Sequence, residues 1–304
     1  MTLVQVPEEK MNKKTFLIMA GGTGGHVFPA LATARMLQTL DVKVHWLGSA
    51  NGMEIDLISA TDIPVSCISI SGLRGKGKLA LLAAPFKLVN ALLQAIFVIR
   101  SVKPDGVLGM GGFVTGPGGL AAWLMGKPLL IHEQNAVAGL TNKLLAKFAS
   151  VVMEAFPHSF PADVKTVVTG NPVRKELLGG SVGEPKKNTN ILVVGGSLGA
   201  SVLNEVVPEA LQSLQASLSV NVIHQAGKAT IQIAREKYSE AGVAADIREF
   251  IADMKQVYQW ADIVICRAGA MTISELAIMG LPSILVPLPH AIDDHQTKNA
   301  AYLA

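Results

Sequence analysis

Short runs of strongly apolar residues recur along the chain, each bounded by glycine, proline or polar positions. Between them lie longer stretches whose apolar residues return every three or four positions. The short runs predict strands buried on both faces, and the longer stretches predict helices that cover them. Strands are expected at Phe16–Ala20, Val42–Leu47, Val65–Ile70, Gly106–Met110, Leu129–His132, Val151–Met153 and Val167–Val168, then at Ile191–Val194, Val220–His224, Ile247–Glu249, Ile263–Cys266 and Ser283–Val286. Helices are expected at Pro29–Thr39, Leu79–Arg100, Gly118–Met125 and Leu140–Phe148 in the first half. In the second they fall near Ser201–Leu214, Lys228–Ala241, Met254–Ala261 and Met271–Gly280. Strict alternation of strand and helix implies parallel sheets with helices on both faces, and the right-handed crossover rule makes each half a Rossmann-like unit.

The periodicity lapses once, where Thr169-Gly170-Asn171-Pro172-Val173-Arg174 leads into the polar run Gly179 to Asn190. Glycine, proline and charge concentrate there as at a domain join. The expected division is a disordered leader over 1–13, one domain over 14–172 and a second over 173–304. The leader is polar and does not have the pattern of a signal peptide. At the other end, Asp294 to Ala304 begins an amphipathic helix and stops without a cap or closing strand, so further C-terminal material is expected.

Composition changes this picture in three ways. Hydrophobic residues make up 50% of the 304 and charged residues only 16%, so the sheets have ample apolar cover. The formal net charge of +3 gives no long-range pull on nucleic acid. Cys67 and Cys266 lie in apolar segments of different halves and are expected to be isolated buried thiols, in keeping with a reducing cytosol. One stretch stands apart: Leu79 to Ile99 approaches the roughly 20 apolar residues of a membrane span. Pro85, Lys87, Asn90 and Gln94 interrupt it, and Arg74, Lys76, Lys78 and Arg100 flank it. It is a spanning helix, a core helix, or an apolar face with a basic collar that docks on an anionic membrane surface.

The candidate chemistry sits where strands run into glycines. Phe16–Ala20 is followed by Gly21-Gly22-Thr23-Gly24-Gly25-His26, and Ile191–Val194 by Gly195-Gly196-Ser197-Leu198-Gly199-Ala200. A strand, a glycine turn and a helix expose backbone N–H groups at the helix's positive end, which suits a phosphate or pyrophosphate. A third loop, Gly109 to Gly119, includes Gly111 and Gly112 and also follows a strand. With Gly21 and Gly22 it would grip a diphosphate. His26 falls in the first turn of its helix, where the positive end disfavours imidazolium and leaves a neutral ring able to accept a proton; a histidine bonded within its own loop is the alternative. His132-Glu133-Gln134-Asn135 ends a strand at the same sheet edge, where at least one side chain faces a ligand and the others hold loops. In the second half, Arg174 and the helix following Ser197 suit a nucleotide diphosphate. Glu275, beyond the small residues Gly269 and Ala270, could accept both hydroxyls of a ribose or cap its own helix. No loop reads G-x-G-x-x-G, and no acid follows the second strand of either half, so a dinucleotide site is not expected. Asp293-Asp294 lacks metal-binding spacing, and no metal or cofactor is expected.

Taken in order, GGTGGH, GMGGFVTGPGG, HEQN, GNPVR, GGSLGA, RAGAMTISE and DDHQ resemble the MurG family, the N-acetylglucosaminyltransferases of peptidoglycan synthesis. The resemblance runs from about Lys14 to Ala304. It implies a GT-B fold, two Rossmann-like domains facing a deep cleft. It also implies inverting transfer of N-acetylglucosamine from UDP-GlcNAc to the muramoyl 4-hydroxyl of undecaprenyl-pyrophosphoryl-MurNAc-pentapeptide (lipid I), giving lipid II. By the resemblance, the C-terminal domain binds the donor: Arg174 and Ser197 at the phosphates, the backbone of Ile251 at the uracil, and Ala270, Met271, Thr272, Ile273, Ser274 and Glu275 along the nucleotide. Gln296 would hold sugar hydroxyls, with Thr23, Gly24, Gly25 and Asn135 approaching the sugar from the N-terminal domain. The acceptor diphosphate would meet Gly21, Gly22, Gly111 and Gly112, and His26 would be the base. The implied location is peripheral, on the cytoplasmic face of the inner membrane, through the Leu79–Ile99 region. Members of the family continue into a C-terminal segment whose last helix returns to the N-terminal domain. Ending at Ala304 is therefore expected to loosen the hinge and lower stability or activity. A UDP-GlcNAc 2-epimerase and a non-enzymatic membrane adaptor on the same fold are the alternatives.

Overall fold

The computed structural model describes residues 14–50, 52–71, 83–178, 188–196, 199–215, 217–289 and 294–304. The chain divides between Pro172 and Val173 into two compact units.

The first unit holds a seven-stranded sheet in the order β3-β2-β1-β4-β5-β6-β7, all pairings parallel. Its strands are β1 (Thr15–Met19), β2 (Lys43–Ser49), β3 (Val65–Ile68), β4 (Gly106–Gly109), β5 (Leu129–Glu133), β6 (Val151–Glu154) and β7 (Val167–Val168). Helices α1 (Gly24–Thr39), α2 (Met53–Ser59), α3 (Ala84–Val102), α4 (Thr115–Leu124) and α5 (Leu140–Leu145) lie between them. The two-residue period of a strand decides which layer each side chain enters. Leu17 and Met19 of β1 join Leu47, Ala95 and Ile131 on one face, while Ile18 and Ala20 join Val27, Trp46 and Leu108 on the other. Leu17, Ile18 and Met19 are wholly buried, as a central strand covered on both faces requires.

The second unit follows a 3-10 turn at Lys175–Leu177 and repeats the scheme with five parallel strands in the order β10-β9-β8-β11-β12. They are β8 (Thr189–Val194), β9 (Val220–Gln225), β10 (Asp246–Arg248), β11 (Ile263–Cys266) and β12 (Ser283–Leu285). Helices α6 (Ser201–Leu214), α7 (Ile231–Ala241), α8 (Met254–Trp260), α9 (Ala270–Met279) and α10 (His295–Ala301) accompany them. Again Leu192 and Val194 enter one core and Ile191 and Val193 the other.

Both sheets change direction at their first strand. The chain runs β1 to β2 to β3 on one side, then returns to place β4 on the other side of β1. Likewise it runs β8 to β9 to β10 before β11 pairs with β8. Loops leaving the carboxyl ends of such adjacent strands diverge and open a crevice, the usual ligand position of open α/β sheets. The loops 20–23 and 110–114 stand at the first switch point, and residues 195–196, 199–200 and 267–269 at the second.

Several sequence expectations are corrected. Helix α1 begins at Gly24, five residues ahead of Pro29, because the Thr23 carbonyl accepts from the N–H groups of His26 (3.0 Å) and Val27 (3.2 Å) and starts the helix before the proline. Helix α4 begins at Thr115 rather than Gly118, with the Thr115 hydroxyl donating to the Gly111 carbonyl at 2.8 Å. Helix α2 has no counterpart among the sequence expectations. Cys67 is exposed, because it lies on the edge strand β3, whereas Cys266 is buried in β11 and burial pushes its thiol up to about 12. The first residues of the Leu79–Ile99 stretch lie outside the described residues, and the rest forms most of α3. This helix packs into the unit through Ala84, Ala91, Ala95, Val98 and Ile99 and turns Phe86, Val89, Leu93 and Phe97 outward, the two phenylalanines 80% and 74% exposed. It is thus a layer helix with a second, uncovered apolar face.

Candidate active site

At the first switch point the sequence Ala20-Gly21-Gly22 turns the chain from β1 into α1. Gly22 has a left-handed φ of +93°, and Thr23 takes the extended conformation of an N-cap residue. A buried carboxylate holds this turn: Glu54 of α2 is wholly buried and accepts from the Ser49 N–H (2.8 Å), the Ser49 hydroxyl (2.7 Å) and the Gly22 N–H (3.3 Å). The second loop packs directly on the first. Gly111 and Gly112 have φ of +96° and +85°; a Cβ at Gly112 would strike the Gly21 carbonyl oxygen, and one at Gly111 would lie 2.5 Å from His26 Nδ1. Only residues without side chains allow the two loops to close on each other and on the imidazole.

His26 is the third residue of α1 and half-buried, and its Nδ1 lies 2.9 Å from Gln134 Oε1. Gln134 is buried and follows the carboxyl end of β5. Its Nε2 donates to the His132 carbonyl (3.1 Å) and to His132 Nδ1 (3.1 Å), and His132 Nε2 lies 2.9 Å from the Gly170 carbonyl. Burial lowers the basicity of His132, partly opposed by the Gly170 hydrogen bond and by Glu133. Glu133 faces the other way and folds its loop, accepting from the Asn135 N–H (3.0 Å), the Asn135 amide (3.2 Å), the Gly139 N–H (3.1 Å) and the Asn142 amide (2.9 Å). The HEQN segment therefore splits as its strand alternation dictates: His132 and Gln134 reach toward His26, while Glu133 fixes the loop carrying Asn135.

In the second unit, Glu275 in α9 is buried, its Oε2 accepting from the Tyr258 hydroxyl at 3.0 Å and its Oε1 lying 3.4 Å from Arg174 Nε. Burial raises the Glu275 carboxyl above the usual range, and Arg174 and Tyr258 pull it back. The Arg174 guanidinium remains partly open to solvent. Gly195 and Gly196 (φ +82°) follow β8, and Ser197 lies outside the described residues. Helix α9 starts at Ala270, with Met271, Thr272 and Ser274 half-buried, whereas the Ile273 side chain is buried and its N–H bonds within the helix to the Gly269 carbonyl at 2.9 Å. The Ile251 N–H donates to Gln225 Oε1 at 2.9 Å, and Gln296 Oε1 accepts from the Leu288 N–H at 2.9 Å.

Each of the two units matches a known family. Residues 16–154 match the glycosyltransferase family 28 N-terminal domain, and residues 190–304 match its C-terminal domain. A transferase of Marinobacter nauticus is 56% identical over 298 residues, covering 96% of this chain and 82% of the relative. One of Pseudomonas putida is 58% identical over 293 residues with the same coverage. Both bear the name UDP-N-acetylglucosamine–N-acetylmuramyl-(pentapeptide) pyrophosphoryl-undecaprenol N-acetylglucosamine transferase. The crystal structure of MurG from Acinetobacter baumannii is 45% identical and superposes with a TM-score of 0.80, covering 95% of this chain and 83% of that one. The chain belongs to the MurG family. Its fold is GT-B in class, a parallel α/β unit in each half.

In this MurG family member, the structure gathers Gly21, Gly22, Thr23, Gly24, Gly25, His26, Gly111 and Gly112 at the first unit's switch point, and Asn135 follows β5 at the same sheet edge. Arg174, Glu275 and the start of α9 come together in the second. Three supporting residues escaped the sequence reading, Glu54, Tyr258 and Gln225, and Gln134 stood in the HEQN segment without an assigned role. Only Gln134 carried a signal, as one of four consecutive polar residues ending a strand. Among the described residues no three His, Cys, Asp or Glu side chains converge as a metal-binding group.

Proposed function

We propose that this chain transfers N-acetylglucosamine from UDP-GlcNAc to the muramoyl 4-hydroxyl of lipid I, with inversion at the anomeric carbon, and so forms lipid II. Its relatives, 56–58% identical, carry the name of this transferase. The observation that supports the assignment of a base is the 2.9 Å contact between His26 Nδ1 and Gln134 Oε1. An amide oxygen only accepts, so in the neutral ring Nδ1 holds the proton and Nε2 keeps its lone pair. In the proposed step, Nε2 takes the proton of the acceptor hydroxyl as that oxygen forms a bond to the anomeric carbon. The bond from that carbon to the phosphate oxygen breaks on the opposite side, and its electron pair leaves with UDP. The charge on the leaving diphosphate falls to Arg174 and to the backbone N–H groups of the loop after β8, at Gly196 and Ser197.

The same reading gives the remaining residues their places. The ribose meets Glu275, which takes up its hydroxyls in exchange for its contacts with Arg174 and Tyr258. The uracil meets the backbone of Ile251. Ala270, Met271, Thr272 and Ser274 bring the α9 start to the nucleotide, with Ile273 buried beneath them. Gln296, Thr23, Gly24, Gly25 and Asn135 contact the sugar, and Gly21, Gly22, Gly111 and Gly112 contact the acceptor diphosphate. The outward face of α3, with Phe86, Val89, Leu93 and Phe97 beside Lys87 and Arg100, seats the N-terminal unit on an anionic membrane surface where a lipid-linked acceptor resides. Incubation with labelled UDP-GlcNAc and a short-chain lipid I analogue tests this. Disaccharide formation is expected; epimerised sugar without transfer would refute it. His26→Ala is expected to lower kcat by about 10²–10⁴-fold, and a loss under about tenfold refutes the base.

A further inference from the structure

The polar contacts behind His26 form a continuous chain anchored on main-chain carbonyls at both of its buried members. The Gly170 carbonyl can only accept, so His132 Nε2, 2.9 Å away, carries a proton and His132 Nδ1 does not. The His132 carbonyl can only accept, so the group of Gln134 that lies 3.1 Å from it is the amide NH₂. That NH₂ also donates to the bare His132 Nδ1 at 3.1 Å, which turns Gln134 Oε1 toward His26 Nδ1. The reversed amide would set its oxygen against a carbonyl oxygen and an unprotonated ring nitrogen at once. Side-chain amide and imidazole orientations are thus dictated, in sequence, by two backbone atoms. His132 and Gln134 are both buried, which limits competition from water for these bonds. The Asn171 amide donates to the Gln134 carbonyl at 3.0 Å and fixes the segment further.

We infer that Gln134, oriented by His132 and the Gly170 carbonyl, is a positioning residue that holds His26 as the Nδ1–H tautomer with Nε2 facing the acceptor hydroxyl. The inference rests on the reading of His26 as the base. A neutral imidazole in water favours the opposite tautomer, with the proton on Nε2, where it cannot accept one. Gln134 also has an effect after proton transfer. When Nε2 becomes protonated, the Gln134 carbonyl dipole still accepts from Nδ1–H and steadies the imidazolium without adding a negative charge beside the acceptor diphosphate. A carboxylate there would steady it more but would repel that diphosphate, which gives a physical reason for an amide at this position.

The test uses the full chain labelled with 15N-histidine at pH 8, above the range in which an ordinary histidine titrates. Proton–nitrogen correlation spectra are expected to show His26 with Nδ1 protonated and His132 with Nε2 protonated. Gln134→Leu is expected to move His26 toward the Nε2–H form and to lower kcat at least tenfold, with KM for UDP-GlcNAc within twofold. Gln134→Glu keeps an acceptor for Nδ1–H but sets its second oxygen against the His132 carbonyl and Nδ1, so it is expected to lose kcat as well, and wild-type kcat in it would overturn the orienting role of His132. A wild-type His26 protonated on Nε2 would overturn the inference, and so would a Leu variant with unchanged tautomer and kcat. The spectra decide the tautomer without reference to turnover. Full activity of His26→Ala beside an Nδ1–H spectrum would therefore refute the base and leave the hydrogen-bonded relay in place.

Discussion

Gly112→Ala probes the closest approach in the first unit. Two costs add. The first is conformational: Gly112 has φ +85°, and an L-residue there loses about 1–2 kcal/mol. The second is steric, since the new methyl would overlap the Gly21 carbonyl oxygen and contact Gly21 C and N, all main-chain atoms that cannot rotate away. Forcing such a contact costs about 1–3 kcal/mol. Against these, the reduced freedom of the unfolded chain returns about 0.4–1 kcal/mol. The expected net loss is about 2–4 kcal/mol. Gly22→Ala is the control: its φ of +93° carries the same conformational cost, but a Cβ there has nothing within 4 Å, so its net loss is about 1 kcal/mol or less. Urea unfolding reports both through Trp46, which is fully buried with its indole N–H on the Ala20 carbonyl at 3.2 Å. Replacing Trp123 and Trp260 by Phe isolates that signal from the rest of the chain. Gly111→Ala gives a third, distinct outcome. Its methyl meets the His26 ring, which can swing aside, so kcat should fall more than stability does. Equal costs for Gly112→Ala and Gly22→Ala, or a Gly112→Ala protein within about 0.5 kcal/mol of wild type, would refute the close-packed loop pair.

His224 gives a pH prediction. It is wholly buried on β9, its Nδ1 is 3.1 Å from the Tyr238 hydroxyl, and burial lowers its pKa from 6.5 to about 4. The unfolded chain therefore takes the proton first, and the stability present above pH 6.5 is lost as pH falls toward 4, about 3 kcal/mol over the window. Between pH 7 and pH 5, His224→Leu should lose about 2 kcal/mol less in urea unfolding than wild type; parallel losses would contradict the assignment. On α3, Phe86→Ser with Phe97→Ser should weaken binding to vesicles containing phosphatidylglycerol more than tenfold, since each fully buried aromatic ring contributes about 1.5–3 kcal/mol. Turnover of a water-soluble acceptor should stay unchanged, and undiminished vesicle binding would rule out this face as the docking surface.

Much of the scaffold was legible because period and punctuation are local. The runs at Phe16–Ala20 and Ile191–Val194 announce central strands, and the glycines after them announce turns into helices, since each signal lies within a few residues of its effect. Helix starts were less legible. Pro29 drew the expected start of α1 downstream, whereas the Thr23 carbonyl sets it at Gly24. Cys67 reads as apolar surroundings in sequence, but exposure depends on strand order, and β3 stands at the sheet edge. The supporting side chains were the least legible. Glu54 is 32 residues from the Gly22 N–H it accepts from, and Gln134 is 108 residues from His26. No local pattern encodes such pairs.

By itself the sequence determined two parallel α/β units, the strands that centre them, and the glycine loops at which ligands are met. These follow from hydrophobic period, backbone freedom and the handedness of crossovers, all of which short segments carry. Tertiary structure alone decided which nitrogen of His26 bears the proton, which acid holds the Gly22 turn, and which face of α3 remains uncovered. Those depend on where distant strands return beside β1, and on which polar atoms are then buried together with too few partners to bond in any other way.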